Sequence, residues 1–371
     1  MGNPGLAFGS GEGSGEGSGE GSGEGSGEGS GEGMLRTFTA HAESPASPLL
    51  SRALVYQRDA ITSHWDGSKT APVNDLSFPD DDKYLDELED AYRAQTIRAA
   101  MHSAVRVTGK DGEASLEALA CSNNTACMKT LATIKRPDQD YFEKDLYWLR
   151  AYSDLRPDRI GETHIQLNDL LSFFGAAGYL DTGRRKNTQI LLRLTRDLAV
   201  HVYTLMKYLC RAPRPIEFAM EVQPMIQTPN HSSFPSGHAC EAFAIATVLH
   251  RLTTGEDVIE ALKDNVKPMP FRIAHRIAAN RTVAGVHFPV DSRAGAWIGC
   301  LTGELVYALA DGCKINPIST EVEPPLSEDG RTRDFLLSTF KLTPSTPEEQ
   351  VVQIDVLSRL WKQAYDEWRR K

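Results

Sequence analysis

Apolar residues recur with helical spacing through most of this chain. From Tyr84 to Ile97 they stand three, four or seven residues apart, after the acid-rich stretch Asp80–Asp82. The same spacing predicts further helices at about 141–154, 162–179, 187–210, 236–252, 271–284 and 289–309. We find no convincing alternation of apolar and polar residues, which is the pattern of a strand. We therefore expect an all-α fold, with loops at 211–235, 253–270 and 312–346.

A last helix has a recognisable start near the carboxyl end of the chain. Thr346 suits the N-cap position, Pro347 the first turn, and Glu349 completes a capping box. The predicted helix carries an apolar stripe formed by Leu357, Leu360, Trp361, Ala364 and Trp368. Such a stripe needs a surface to cover it, so we expect it to pack against the rest of the protein.

The amino-terminal segment has a different composition from the rest of the chain. Residues 10–33 contain only Gly, Ser and Glu, repeated with a period of four. No apolar side chain there can be buried, so we interpret residues 1–33 as a disordered linker or tag. We treat residues 34–371 as a single helical domain. Its parts are N-terminal helices at 34–186, a core at 187–311, and a C-terminal loop and helix at 312–371.

The acidity of the chain comes mainly from this linker. The whole chain has a formal net charge of -10, and residues 1–33 contribute six glutamates without any Lys or Arg. The other 338 residues therefore carry a net charge of -4. A broad nucleic-acid-binding surface requires excess positive charge, so we predict no nucleic-acid partner. Six cysteines in a chain of this length do not indicate a disulfide framework, and we expect Cys121 and Cys127 to be free thiols.

Membrane insertion is not predicted. A spanning helix needs about 18 or more consecutive apolar residues, and the most apolar stretches, 190–210 and 294–310, both contain charged residues. No signal peptide follows Met34. We expect a soluble protein, cytoplasmic by default, and secreted or periplasmic if a native signal peptide was removed.

Three short segments near predicted helix ends combine positive charges with two histidines. They are the segments 207–215, with Lys207 and Arg214; 234–238, with Ser236, Gly237 and His238; and 280–291, with Arg281, His287 and Asp291. A helix that begins at Ser236-Gly237 offers unpaired amides and a positive dipole end to an anion. Three cations add charge and, for the two arginines, bidentate contacts to a tetrahedral oxyanion.

The two histidines add reactivity to this predicted anion site. One imidazole can act as a nucleophile or metal ligand while the other transfers protons. Asp291 follows His287 by four residues, a spacing that suits orientation and charge stabilisation of that imidazole. The residues therefore predict an enzyme that acts on a tetrahedral oxyanion.

The three segments resemble the motifs of the type 2 phosphatidic acid phosphatase and vanadium-dependent haloperoxidase superfamily. Those motifs are Lys-x6-Arg-Pro, Pro-Ser-Gly-His and Ser-Arg-x5-His-x3-Asp, and all occur here in that order. Asn280 stands where the third motif usually has Ser. The resemblance implies the helical bundle of this superfamily, in agreement with the all-α prediction.

The resemblance also implies a role for each residue. His287 would coordinate vanadium, bound as vanadate, or form the covalent bond to phosphorus. His238 would be the general acid and base, and Asp291 would support His287. The oxygens of the vanadate or phosphate would be held by Lys207, Arg214, Ser236, Gly237 and Arg281.

Three functions stay open at this point. Our main expectation is a vanadate-dependent haloperoxidase that oxidises halide with hydrogen peroxide. His231, seven residues before His238, favours this branch, because bromide-oxidising members often carry a second catalytic histidine there. The alternative is a metal-independent acid phosphatase, which needs no cofactor and hydrolyses a phosphate ester. Thr204 and the Arg-rich segment Arg211–Pro215 favour this second branch. The third function is an inert anion-binding module.

Overall fold

The computed structural model describes residues 48–62, 64–70, 81–122, 125–345 and 347–369. The predicted linker at 1–33 and the predicted cap Thr346 lie outside these residues. Most of the described chain is helical, which confirms the predicted fold class. The helices are α1 (Pro48–Ile61), α2 (Asp81–Glu87), α3 (Asp90–Ser103), α4 (Gln139–Ser153), α5 (Arg156–Ile165), α6 (Leu171–Gly178), α7 (Lys186–Cys210), α8 (Pro215–Phe218), α9 (Gly237–Thr254), α10 (Val258–Ala261), α11 (Met269–Val283), α12 (Pro289–Asp311) and α13 (Asp355–Glu367). The subdivision of residues 34–371 stays a prediction.

The centre of the core is α9, which packs against α7, α11 and α12. Nearly every side chain of α9 and α12 is buried, and this explains why their sequences are apolar on all sides. The helices α4, α7, α9, α11 and α12 begin and end within about three residues of the predicted bounds. Because α7 ends, and α9 and α12 begin, at the predicted motifs, the chemistry-bearing residues lie at the ends of core helices.

Three glycines bring α12 close to α9. A Cβ atom on Gly295 would lie 2.3 Å from the backbone oxygen of Ser236, and one on Gly299 would lie 2.3 Å from that of Cys240. Gly303 has a similar close approach to Thr247. These three glycines therefore set the distance between α9 and α12, the helices whose first turns carry His238 and Asp291.

Replacing Gly299 with alanine should destabilise the fold by about 1–3 kcal/mol, because the added methyl group has no space between the helices. Gly161, on α5, is a matched control, since its Cβ atom would meet nothing within 4 Å. Gly161→Ala should leave the melting temperature unchanged or raise it slightly. Thermal unfolding followed by circular dichroism measures both variants. Equal melting temperatures for the two variants would contradict this account of the helix contact.

A three-stranded antiparallel sheet corrects the expectation of a fold without strands. Its strands are β1 (Val105–Lys110), β2 (Glu113–Ser122) and β3 (Thr125–Lys135), in the order β1-β2-β3. The buried positions of β2 are Ala114, Leu116, Ala118 and Ala120. Buried and more exposed positions do alternate along β2, but most of the buried residues are alanines. Because alanine favours helices, the sequence does not indicate a strand here. The sheet packs against α7.

The strand register also settles how two cysteines are oriented. Cys121 pairs with Ala126, whereas Cys127 pairs with Ala120. Neighbouring residues of a strand point to opposite faces of the sheet, so the two thiols face away from each other. All six cysteines are free, in agreement with the sequence.

The structure divides two of the predicted helices. The segment Tyr84–Ile97 is interrupted between α2 and α3, and the predicted helix 162–179 is interrupted between α5 and α6. In the second break, the Asp169 carboxylate accepts a hydrogen bond from the backbone amide of Ser172, so it caps the new helix.

The predicted start of the last helix is also wrong. Glu349–Gln350 forms strand β7, which pairs with β4 (Lys314–Ile315), and α13 begins only at Asp355. A neighbouring strand thus satisfies the backbone groups that the capping box was expected to satisfy. Two further short strands, β5 (Ile318–Ser319) and β6 (Thr343–Pro344), also pair with each other.

The apolar stripe on α13 packs as predicted. Leu357, Leu360 and Ala364 are fully buried, and α13 lies against α7 and α12. The indole of Trp368 donates a hydrogen bond to the Thr188 hydroxyl at 3.1 Å. Across the described part of the chain, every helix is too short or too polar to traverse a lipid bilayer.

Candidate active site

Lys207 lies in the last turn of α7 and is almost completely buried, with 2% of its surface exposed. Its Nζ donates hydrogen bonds to the backbone oxygens of Ser232 at 2.9 Å and Ser233 at 3.3 Å. The ammonium group therefore holds the loop that leads into α9, and it brings a positive charge to the start of that helix.

Arg214 connects this loop to the segment before α12. Its Nε donates to the backbone oxygen of His231 at 3.0 Å, and its Nη1 donates to that of Val286 at 2.8 Å. The guanidinium also contacts two imidazoles: Nη1 lies 3.2 Å from Nε2 of His287, and Nη2 lies 3.0 Å from Nδ1 of His231. Because a guanidinium can only donate, both ring nitrogens accept from it.

His287 and Asp291 form the predicted pair at the start of α12. The Oδ2 atom of Asp291 lies 3.1 Å from Nδ1 of His287 and also accepts a hydrogen bond from the backbone amide of Phe288 at 2.9 Å. The Ser233 hydroxyl donates to the same oxygen. A carboxylate fixes the proton of the ring on Nδ1, so the lone pair of the neutral imidazole is on Nε2.

Burial controls the protonation of this pair. It lowers the pKa of His287 well below its ordinary value, and the charges of Arg214 and Lys207 lower it further. Burial also raises the pKa of Asp291 to about 6, although the hydrogen bonds from Ser233 and Phe288 oppose this shift. At neutral pH the carboxylate is therefore ionised and the imidazole is neutral.

The start of α9 provides the expected anion-binding geometry. Ser236 occupies the N-cap position, Gly237 is the first helical residue, and His238 follows in the first turn. The Ser236 backbone amide donates to the backbone oxygen of Asp291 at 2.9 Å, which joins the starts of α9 and α12. The Ser236 hydroxyl is buried and has no hydrogen-bond partner among the described residues. A bound oxyanion would supply that partner.

His238 and Arg281 meet at a residue that the sequence did not indicate. The Nε2 atom of His238 lies 3.0 Å from the backbone oxygen of Gln166. Arg281, in the last turn of α11, donates from Nη2 to the side-chain oxygen of Gln166 at 3.0 Å and to the backbone oxygen of Thr163 at 3.2 Å. His238 is also near enough to lower the pKa of His287.

The structure thus gathers the predicted residues into two adjoining groups. Direct contacts link Arg214, His231, His287 and Asp291, and Lys207 joins them through the loop before α9. His238 and Arg281 form the second group with Gln166. The backbone contact between Ser236 and Asp291 connects the two. The individual roles of these residues stay predictions.

Two further polar residues, Ser233 and Asp145, support this arrangement, and no pattern in the sequence indicates them. Ser233 directly precedes the second predicted segment, and only the fold shows that its hydroxyl reaches Asp291. Asp145, on α4, accepts hydrogen bonds from the Val290 amide at 3.2 Å and from the Thr332 hydroxyl, so it caps the start of α12. Burial raises the pKa of Asp145 to about 7.

A cleft of about 790 Å³ lies beside the first group. Lys207, Arg214 and His231 line it on the side of the site. Its other lining residues combine apolar with polar side chains and include Thr204, Tyr208, Pro213, Ile216, Thr228, Pro229 and Asn230. The cleft is large enough for a small organic molecule next to the imidazole of His231.

Comparisons with known proteins agree with this geometry. Residues 190–314 match the model of the PAP2 superfamily. The chain is 28% identical over 135 residues to the decaprenylphosphoryl-5-phosphoribose phosphatase of Mycobacterium tuberculosis, in the sequences of strains CDC 1551 / Oshkosh and ATCC 25618 / H37Rv. The matched region covers 36% of this chain and 68% of that phosphatase. The segment 190–314 that matches the family model includes the ends of α7 and α11 and the starts of α9 and α12, where the predicted motifs lie. Residues 190–314 of this chain are a domain of the PAP2 superfamily.

Proposed function

We propose that this protein hydrolyses phosphate monoesters through a phosphohistidine on His287. The observation that carries the proposal is the state of His287, a buried and neutral ring whose Nδ1 is held by Asp291. The lone pair on its Nε2 accepts a hydrogen bond from Arg214, a donor that a phosphoryl oxygen would take over when the ester binds. A neutral imidazole oriented in this way is a nucleophile at neutral pH. The PAP2 domain and the similarity to a phosphatase support the same chemistry.

In the first step, Nε2 of His287 attacks the phosphorus atom and the bond to the ester oxygen breaks. Protonated His238 donates a proton to the departing alcohol, and the Gln166 backbone oxygen, which accepts from Nε2, makes Nδ1 the donating atom. As Nε2 of His287 bonds to phosphorus, Asp291 stabilises the positive charge that develops on the ring. The charges of Lys207 and Arg214 offset the charge on the phosphoryl oxygens.

In the second step, water attacks the phosphohistidine and releases inorganic phosphate. His238, now neutral, accepts a proton from the water, and the bond between phosphorus and Nε2 of His287 breaks. The Ser236 hydroxyl and the guanidinium of Arg281 complete the set of donors to the phosphoryl oxygens. The cleft beside Lys207 and His231 holds the organic part of the ester.

This proposal departs from our main expectation of a vanadate-dependent haloperoxidase. The site fits both phosphate and vanadate, because its donors recognise the shape and charge of a tetrahedral oxyanion. The similarity to a phosphatase favours the alternative. His231, the residue that favoured the haloperoxidase branch, contacts the Arg214 guanidinium, so it also has a place in an anion site for phosphate.

A pair of assays on the purified full chain tests the proposal. Hydrolysis of para-nitrophenyl phosphate should proceed in the presence of EDTA, and orthovanadate should inhibit it competitively as a mimic of the transition state. The second assay supplies orthovanadate, hydrogen peroxide and bromide and follows bromination of a phenolic dye. Bromination without hydrolysis would overturn the proposal in favour of the haloperoxidase. Inactivity in both assays would favour the inert anion-binding module.

The pH dependence follows from Asp291. As the pH falls through about 6, its carboxylate protonates and no longer fixes the proton of His287 on Nδ1, so kcat/KM should fall. In the unfolded chain the same carboxyl titrates near 3.8, so the folded state binds the proton more tightly. Acid therefore favours the folded state through this group, and a parallel melting curve separates loss of activity from unfolding.

The substrate needs its own control in this experiment, because the second ionisation of a phosphate ester is also near pH 6. In the wild type, two protonations should make the acid side of the profile steep. Asp291→Asn cannot titrate, so its lower activity should retain only the shallower dependence of the substrate. An equally steep profile in Asp291→Asn would exclude Asp291 as the titrating group.

A further inference from the structure

Gln166 lies in the break between α5 and α6 and is 1% exposed. Its backbone oxygen contacts His238, and its side-chain oxygen accepts from Arg281. One residue thus touches both the proposed acid and base and one of the proposed oxyanion donors. It is also outside the segment that matches the PAP2 superfamily, since that segment begins at residue 190.

The orientation of the Gln166 amide is fixed by chemistry. Arg281 can only donate, so the atom that faces it must be the amide oxygen. The Asn280 amide donates to the same oxygen at 3.0 Å. Two donors therefore hold this oxygen, while the Gln166 Nε2 atom is buried and has no hydrogen-bond partner among the described residues.

Asn280 shows that this contact is part of a larger link to α5. Its amide nitrogen donates to Gln166 and, at 3.1 Å, to Glu162, and its amide oxygen accepts from Arg159 at 3.1 Å. The motif Ser-Arg-x5-His-x3-Asp usually has serine at this position, and a serine side chain offers a single hydroxyl with one donor hydrogen. The departure from the motif thus coincides with a three-contact link between α5 and α11.

We propose that Gln166 is a positioning residue of the active site, which aims the Arg281 guanidinium and thereby tightens the hold on the phosphoryl group. Nη2 of Arg281 is held by two oxygens at the end of α5, from Thr163 and Gln166, and this fixes one edge of the planar guanidinium. Because the guanidinium is planar and rigid, fixing this edge also fixes the direction of its other nitrogens. This inference rests on the proposed phosphatase function.

Gln166→Met keeps the size of the side chain and removes its amide. The variant should lower kcat/KM for para-nitrophenyl phosphate by about 10²-fold, through a higher KM and a lower kcat, because a misdirected donor weakens the hold on the phosphoryl group in the ground state and weakens it further in the transition state. Arg276→Gln is the matched control. It removes an exposed contact between α11 and Glu162 of α5 and leaves Gln166 in place, so its activity should equal that of the wild type.

A double-mutant cycle separates positioning from general damage to the fold. If Gln166 acts through Arg281, adding Gln166→Met to Arg281→Ala should change kcat/KM by less than about twofold. Losses that add in the double variant, or wild-type activity in Gln166→Met, would overturn the proposal. If Gln166→Met does not fold, Asn280→Ser replaces it in the cycle, because it also weakens the hold on the Gln166 oxygen.

Calorimetric titration with inorganic phosphate keeps this inference distinct from the proposed function. Gln166→Met should bind phosphate about tenfold more weakly than the wild type and Arg276→Gln do, since each donor to a charged oxygen contributes about that much. If the wild type binds phosphate without hydrolysing esters, the proposed function fails and the titration still tests Gln166. Equal phosphate affinity in the wild type and Gln166→Met would contradict the positioning role.

Discussion

Replacing His287 with alanine should abolish phosphate-ester hydrolysis, with kcat reduced by about 10⁴-fold or more. The variant loses the only atom that is proposed to bond to phosphorus. Alanine leaves the donors from Lys207 and Arg214 in place, so inorganic phosphate should still bind. The expected result is therefore a protein that retains the anion site and lacks the nucleophile.

Steady-state hydrolysis of para-nitrophenyl phosphate measures this loss, and brief reaction with a radiolabelled ester tests for the covalent intermediate. The wild type should yield labelled protein that is stable to alkali and labile to acid, and His287→Ala should yield none. His275→Gln is a control for the loss of a histidine from a helix, because His275 contacts the backbone oxygen of Phe335 and lies outside the site. Turnover by His287→Ala at the wild-type rate would refute the nucleophile assignment.

The sequence predicted the core of this site because local constraints determine it. The carboxylate of Asp291 reaches His287 four residues earlier, across the start of α12, and this contact depends on the local backbone alone. The start of α9 likewise follows from the order Pro-Ser-Gly-His. Such features depend on a few adjacent residues, so a single sequence specifies them.

The parts that the sequence did not predict depend on contacts between distant segments. Gln166 reaches His238 over 72 positions of the chain, and Asp145 reaches Val290 over 145. Neither residue differs in type or spacing from an ordinary polar residue of a helix. The sequence also predicts that Gln166 lies inside a single helix at 162–179, whereas the structure places it in the break between α5 and α6. The break that the sequence did not predict is therefore also the place where the missed residue Gln166 lies.

Errors elsewhere in the fold have a similar cause. The strand β2 buries mainly alanines, so its alternation is visible in the structure and weak in the sequence. The segment at Glu349–Gln350 had a good local signal for a helix, but pairing with β4 satisfied its backbone instead. Tertiary contacts thus override local preference at the edges of the domain, whereas the apolar helices α9 and α12 follow their sequence closely.

Replacing His238 with alanine should lower turnover by about 10²–10⁴-fold, with a different pattern from the loss of His287. The two steps of the proposed reaction use His238 differently. Para-nitrophenolate leaves readily without a proton, so formation of the phosphohistidine should be slowed little with this ester. Attack by water still needs His238 as a base, so the intermediate should accumulate.

Rapid-mixing experiments distinguish these steps. With para-nitrophenyl phosphate, His238→Ala should release a burst of para-nitrophenolate that equals the enzyme concentration, followed by a slow steady rate, and the labelled intermediate should be abundant. With an alkyl phosphate, the first step also needs the proton from His238, so both the burst and the intermediate should be missing. The variant leaves Gln166, whose backbone oxygen contacts Nε2 of His238, unchanged, so this pattern reports on the loss of the imidazole itself. A burst of the same size with both esters would exclude His238 as the acid of the first step, and no burst with either would exclude it as the base of the second.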